Sequence, residues 1–106
     1  MRKIKFRSFL KSNGKMLYDF TQLSNNVNTD DELRVLMQYT GLKDKNGTEI
    51  YEGDILTGFV FKERWTGSVE YLAPYFAVLG ENSHIILEDL EECMVIGNIY
   101  ENPHII

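Results

Sequence analysis

Three carboxylates near the middle of the chain have the types and spacing that acid–base chemistry requires. Glu49, Glu52 and Asp54 lie close together in sequence, and neighbouring carboxylates can divide the acid and base roles when their environments separate their pKa values. They also surround a tight turn at residues 51–54, where acids are common for turn formation and solubility. The sequence therefore favours a structural use of these acids and predicts no enzyme activity.

Other reactive residue types occur singly. His84 and His104 are far apart and have no partner at metal-ligand spacing. Cys93 is the single cysteine, so no internal disulfide is possible, and we interpret it as a small apolar residue of a reduced, cytoplasmic protein. The chain has neither a phosphate-binding glycine loop nor a nucleophile elbow. The sequence thus predicts no cofactor and no metal.

Charge is distributed unevenly along the chain. The net charge is −5, and no lysine or arginine follows Trp65. Six basic residues precede the first acid, Asp19: Arg2, Lys3, Lys5, Arg7, Lys11 and Lys15. An acidic protein repels the phosphate backbone over most of its surface, so only this stretch is a candidate for nucleic-acid binding.

Two interpretations of the basic stretch remain open. In the first, Lys3, Lys5 and Arg7 contact nucleic acid while Phe6 and Phe9 stack on bases. In the second, the basic and acidic segments are neighbours within the fold or between subunits. We favour the second interpretation.

The elements that must position these residues are strands. Alternation on both sides of the turn residues Ser12–Gly14 predicts a β-hairpin over residues 3–20, whose first strand is half-buried. A capping-box pattern at 29–32, followed by the alternating Val35, Met37 and Tyr39, predicts a short helical turn that passes into a short strand. Asn46-Gly47 predicts a tight turn, Gly53 a second one, and 62–67 a charged loop.

Further strands are predicted at 55–60, 68–72, 75–79, 84–87 and 94–100, with 88–92 as an acidic turn or edge strand. The fold class is therefore mainly β. We expect a single domain over residues 1–106, whose antiparallel or mixed sheet closes into a small barrel-like or sandwich-like core with one short helical turn. The apolar runs are too short for a membrane span, and no secretory signal follows the basic N-terminus.

Two stretches of the sequence resemble a known family. They are LMQYTGLKDKNG (36–47), continuing through EIYEGDI (49–55), and VIGNIYENP (95–103). With the opening Ile4–Arg7, they are similar to the YopX family of phage and prophage proteins. Phe9-Leu10 stands where that family commonly has Trp-Asp. The resemblance implies a small β-rich protein of a bacterial host cytoplasm and carries over no known activity or catalytic residue.

Our leading functional hypothesis is a non-enzymatic phage accessory module that forms homo-oligomers and binds a phage or host protein. The alternative is a small barrel-type nucleic-acid-binding module. The residues that we expect to have a role beyond packing lie in the stretches that carry the resemblance: Gln38, Tyr39, Glu52, Asp54 and Asn98.

Overall fold

The architecture consists of two antiparallel sheets. The computed structural model describes residues 5–12, 14–20 and 34–105. Its strands are β1 (Phe6–Leu10), β2 (Lys15–Phe20), β3 (Arg34–Lys43), β4 (Glu49–Tyr51), β5 (Asp54–Val60), β6 (Glu63–Leu72), β7 (Tyr75–Leu79), β8 (His84–Ile86) and β9 (Glu91–Asn98). Two 3-10 turns, Leu87–Asp89 and Pro103–Ile105, are the helical segments of the described residues.

The strands are ordered β2-β1-β3-β4 in the first sheet and β8-β7-β6-β5-β9 in the second, and every pairing is antiparallel. One sheet is strongly curled into a half-barrel. The mainly β fold class predicted from the sequence is confirmed. The helical turn predicted at 29–32 lies outside the described residues.

The hydrophobic core belongs mainly to the second sheet. Apolar side chains from β5, β6 and β7 form most of it, and Leu87 and Leu90 belong to the same cluster. The buried cluster comprises Ile50, Leu56, Val69, Phe76, Val78, Leu87 and Leu90. The 3-10 turn places Leu87 in this core while Glu88 and Asp89 face solvent, so the acidic segment 88–92 contains both a turn and the start of β9.

The β1–β2 hairpin is present as predicted, but the prediction of a half-buried first strand is wrong. Lys5, Arg7, Ser8 and Phe9 are all buried, so β1 is covered on both faces. Lys5 and Arg7 can be buried because each is paired with a carboxylate. Glu49 of β4 pairs with Lys5, and Asp54 at the start of β5 pairs with Arg7.

The predicted charged loop at 62–67 is also wrong. Strand β6 begins at Glu63, and the connection from β5 is a two-residue turn at Phe61 and Lys62. Neither residue is a typical turn former. The alternation of inward Trp65, Gly67 and Val69 with exposed neighbours sustains the strand through the charged segment.

The turn between β3 and β4 covers the outer edge of β9. Lys45 N donates to Cys93 O at 3.0 Å, and Val95 N donates to Asp44 Oδ2 at 2.9 Å. Asp44 Oδ1 also accepts from Asn46 N and Thr48 N, at 2.9 Å each. One buried carboxylate therefore holds the turn closed and ties it to the second sheet, which protects an edge that could pair with another chain.

Asp44 should make stability depend on pH. Burial acts to raise the pKa of Asp44, but hydrogen bonds from three backbone amides outweigh it, so the pKa is lower than its ordinary value of 3.8. A carboxylate with a lowered folded-state pKa stabilises the protein above its unfolded pKa, and this contribution is lost as pH falls through the folded pKa. In urea unfolding followed from about pH 6 down to pH 2, the difference in stability between the wild type and Asp44→Asn should shrink as pH falls below 3.8. A difference that stays constant over this range would contradict the assignment.

Candidate functional site

The described residues selected from the sequence meet at one place in the fold, which we call the seam. It lies where β1, β3, the β4–β5 turn and the end of β9 come together. The structure brings to it Lys5, Arg7, Gln38, Tyr39, Glu52, Asp54 and Asn98. Lys3 lies outside the described residues.

A buried ion pair forms the centre of the seam. Arg7 Nη2 donates to Asp54 Oδ1 at 2.8 Å, and both side chains are almost fully buried. Asp54 Oδ2 accepts from Tyr51 N at 2.8 Å, and the Arg7 guanidinium lies 4.8 Å from the centroid of the Tyr51 ring. The pair thus joins the first strand to the turn that begins β5.

Burial raises the pKa of Asp54 above its usual value. The positive charge of Arg7 and the hydrogen bond from Tyr51 N act in the opposite direction but do not cancel the effect of burial. A carboxylate that is desolvated to this extent depends on its cation, because an uncompensated buried charge is strongly destabilising.

The β4–β5 turn takes its shape from Gly53, whose φ of +86° is readily adopted only by glycine. Gly53 N donates to Val69 O at 2.8 Å, and Gly53 O accepts from Ile99 N at 2.9 Å. A single residue of the turn thereby contacts β6 and the segment after β9. These two hydrogen bonds fix the backbone next to Asp54.

Lys5 makes a second polar cluster beside the ion pair. Its Nζ forms a salt bridge with Glu49 Oε2 and lies 5.0 Å from the centroid of the Tyr39 ring. Burial, and then the negative charge of Glu49, raise the pKa of Tyr39, while Lys5 opposes this shift. Lys5 is 6% exposed and Arg7 3% exposed, so these two residues do not form the exposed basic stripe that nucleic-acid binding requires.

Glu52 and Gln38 hold β3 against the turn. Glu52 Oε1 accepts from Gln38 N at 2.7 Å, and Glu52 N donates to Gln38 O at 2.9 Å. Asn98 stabilises the turn after β9, because its Oδ1 accepts hydrogen bonds from Tyr100 N and Glu101 N. Its Nδ2 donates to Glu101 Oε1 at 2.7 Å.

A cavity of about 480 Å³ opens beside the ion pair, and we call it the seam cavity. Strands β1, β2, β4 and β9, the start of β5, the β3–β4 turn and the segment after β9 contribute to its lining: Arg7, Tyr18, Thr48, Glu49, Tyr51, Asp54, Val95, Gly97, Asn98, Glu101 and Asn102. Each of the three acids first considered for catalysis has a hydrogen-bond or ion-pair partner. What this arrangement offers chemically is charge, hydrogen-bonding groups and aromatic surface for binding. Among the described residues, no group of three or more His, Cys, Asp or Glu side chains could hold a metal ion.

Sequence reasoning missed a second feature, the tip of the β5–β6 hairpin. Phe61 is 94% exposed, with a φ of +50°, and Lys62 follows with a φ of +69°. Glu92, with a φ of +50°, lies near this end of the sheet, where Phe59 pairs with Glu91. These three are the non-glycine residues with positive φ in the described chain.

A surface cleft lies at the same end of the sheet. It is lined by Phe59, Lys62, Glu91 and Glu92. The continued alternation through Trp65 and Val69 was the signal that would have placed the turn at Phe61.

The fold and the seam define a small two-sheet β protein whose sheets are joined by a buried polar cluster. The model of the family described as "YopX protein" matches residues 19–106. The chain therefore belongs to the YopX family, which confirms the resemblance noted in its sequence.

A solved structure has a similar fold over nearly the whole chain. The chain is similar to the crystal structure of protein EF1440 from Enterococcus faecalis, with a TM-score of 0.73 and 27% sequence identity over 99% of each chain. No curated protein matches the chain. Within the described residues, no helix has the length and apolar character needed to cross a membrane.

Proposed function

We propose that this protein is a non-enzymatic, phage-type accessory module that binds a protein partner through the tip of the β5–β6 hairpin. The observation that carries the proposal is Phe61, a large apolar side chain almost fully exposed at a strained turn. Membership of the YopX family supports the phage-type accessory role. The cytoplasm of a bacterial host is the compartment that we propose, because the single cysteine allows no internal disulfide.

The hairpin tip has the properties of an interface anchor. A phenylalanine that passes from water into a partner's pocket contributes roughly 1.5–3 kcal/mol, and aromatic residues are enriched at the centres of interfaces. A bulky residue with positive φ costs about 1–3 kcal/mol and persists where the surroundings enforce it, which is common at functional sites. Both features occur together at Phe61.

The surroundings of Phe61 supply a polar rim. Lys62, Glu63 and Arg64 are exposed on the hairpin, and Glu91 and Glu92 are exposed across the cleft. An apolar anchor surrounded by charges of both signs is the usual anatomy of a protein interface. It is poorly suited to nucleic acid, since the acids would repel phosphate.

The test compares partner capture by matched variants from a bacterial host that carries the phage or prophage. Phe61→Ser should lose a partner that the wild type captures reproducibly. Tyr71→Ser, which removes another exposed aromatic side chain (46% exposed), should retain it. Equal recovery by wild type and Phe61→Ser would refute the proposed binding element.

Self-association is the second part of the proposal. Strands β2 and β8 each end a sheet, and an edge strand presents backbone groups that can pair with another chain. Light scattering coupled to size exclusion should show a mass that rises with protein concentration. A monomer at every concentration and ionic strength would refute this part and leave the role of Phe61 untouched.

Replacing Phe61 by glycine should separate stability from binding. Glycine adopts a positive φ without strain, so we expect Phe61→Gly to be as stable as the wild type or more stable by up to about 1 kcal/mol. The same variant should lose partner capture. Thermal unfolding gives the stability; a loss of more than about 1 kcal/mol would show that Phe61 packs within its own chain.

A further inference from the structure

The end of the second sheet that carries Phe61 presents an apolar side chain and a cleft side by side. Phe61 is 94% exposed, so its own ring does not fill the surface cleft. The cleft has a volume of about 570 Å³, within the range of roughly 300–1,000 Å³ that is usual for small-ligand sites. Phe59 is half-buried and contributes its ring to the lining. The cleft therefore offers both space and an aromatic contact to a phenylalanine of another molecule.

The backbone of β9 is distorted where it borders this cleft. Between the pairs Thr57–Met94 and Phe59–Glu91, β9 has one residue more than β5, so the strand contains a β-bulge. Glu92 lies in the bulge with a φ of +50°, a conformation that is costly for a residue with a side chain. Bulges redirect side chains and are frequent beside functional sites. This one places Glu92 in the lining of the cleft.

Charges of opposite sign line the same cleft. Lys62 lies on one side, and Glu91 and Glu92 lie on the other. All three are exposed, and none of them forms an ion pair with another described residue. A two-fold axis brings residue i of one copy to residue j of the other and residue j to residue i. A surface that carries an aromatic side chain beside a cleft, and a cation beside anions, is therefore complementary to a copy of itself.

We propose that two copies of this chain associate through the hairpin tip about a two-fold axis. Phe61 of each copy occupies the surface cleft of the other and packs against its Phe59. Lys62 of each copy lies against Glu91 and Glu92 of the other. The inference rests on the self-association in the proposed function and names a surface for it other than a strand edge. A phage or host protein that binds Phe61 then competes with the second copy.

The size of this contact sets its expected strength and its stoichiometry. A hairpin tip and one cleft on each side bury less than the roughly 1,600 Å² of a standard stable interface. We expect a dissociation constant on the order of 10–100 µM. The mass should rise to that of two chains and no further, because the two-fold contact uses both tips and both clefts. Raising the salt concentration should weaken the dimer.

Sedimentation equilibrium of the full chain, from about 1 µM to 1 mM, measures this association. Phe61→Ser should raise the dissociation constant by about tenfold or more, because the ring that leaves water in the dimer is gone. Tyr71→Ser is the matched control, since it removes another exposed aromatic side chain (46% exposed). It should leave the dissociation constant unchanged.

A charge exchange tests the arrangement of the two copies. Lys62→Glu should weaken the dimer about tenfold, because repulsion replaces attraction at two symmetric places. Glu91→Lys with Glu92→Lys should do the same. An equimolar mixture of these two variants should form a heterodimer as tight as the wild-type dimer, because both contacts again join opposite charges.

A second double variant controls for the change in net charge. Glu81→Lys with Glu88→Lys alters two exposed acids outside the cleft and should dimerise as the wild type does. Mixed with Lys62→Glu, it should form no tight heterodimer, because its own Glu91 and Glu92 repel the new glutamate.

The outcomes separate this inference from the proposed function. A wild type that is monomeric at about 1 mM overturns the inference and leaves partner capture by Phe61 to its own test. A dimer that persists in Phe61→Ser, or a charge-exchanged mixture without a heterodimer, overturns the tip contact even if a strand edge supports self-association. A heterodimer in that mixture supports the inference even if wild type and Phe61→Ser recover the same host proteins.

Discussion

Replacing Arg7 by methionine should lower the free energy of unfolding by about 3–5 kcal/mol, the usual cost of removing one partner from a buried ion pair. Asp54 is 1% exposed and would lose both the hydrogen bond from Arg7 Nη2 and its compensating charge. The carboxylate would then have to take up a proton or draw in water. Urea unfolding measured by circular dichroism gives the change in free energy.

A double variant tests whether the loss comes from the uncompensated charge. In Arg7→Met with Asp54→Leu, neither charge of the pair remains, so stability should recover by more than half relative to Arg7→Met alone. Lys5→Met is the control, because its partner Glu49 has a side chain 33% exposed that water can solvate; its cost should be about 1 kcal/mol. If Arg7→Met costs no more than Lys5→Met, the seam does not depend on the buried pair.

Replacing Gly67 by alanine should cost about 3 kcal/mol or more, because there is no room for another methyl group. A Cβ at this position would overlap the backbone carbonyl group of Leu79 on the neighbouring strand β7 and would lie 3.1 Å from Val78 Cγ1. Backbone atoms within a sheet cannot move aside without breaking ladder hydrogen bonds. Thermal or urea unfolding measures the loss.

Gly47→Ala is the matched control for this substitution. Gly47 has a φ of +86°, and a Cβ there would meet nothing within 4 Å. Its cost should be limited to the conformational penalty of alanine at positive φ, about 1–2 kcal/mol. Equal losses for the two variants would mean that β6 and β7 separate easily at Gly67.

The strands followed from local signals, because alternation and turn residues act over short distances. The β1–β2 hairpin and the Asn46-Gly47 turn were predictable in this way. The turn at Phe61 was missed in spite of the alternation through Trp65 and Val69, because it lacks the residues that usually form tight turns and the flanking charges of β6 resemble a loop.

The seam was partly predictable. Glu52, Asp54 and Asn98 were selected because they lie in the stretches that resemble the YopX family. The burial of Lys5 and Arg7 was not predictable, because their partners Glu49 and Asp54 are more than forty positions away in sequence. Sequence periodicity indicates which side of a strand is polar. Whether a carboxylate of another strand lies against that side depends on the tertiary fold.

The position of β1 bears on where this protein can be divided. The match to the family begins at residue 19, but β1 lies between β2 and β3 and provides the cation for Asp54. In a fragment that begins at residue 19, β3 would lack its neighbouring strand β1, and the buried carboxylate of Asp54 would lack its partner Arg7. The family model therefore leaves out a strand that pairs with Asp54, and expression of this protein should include β1.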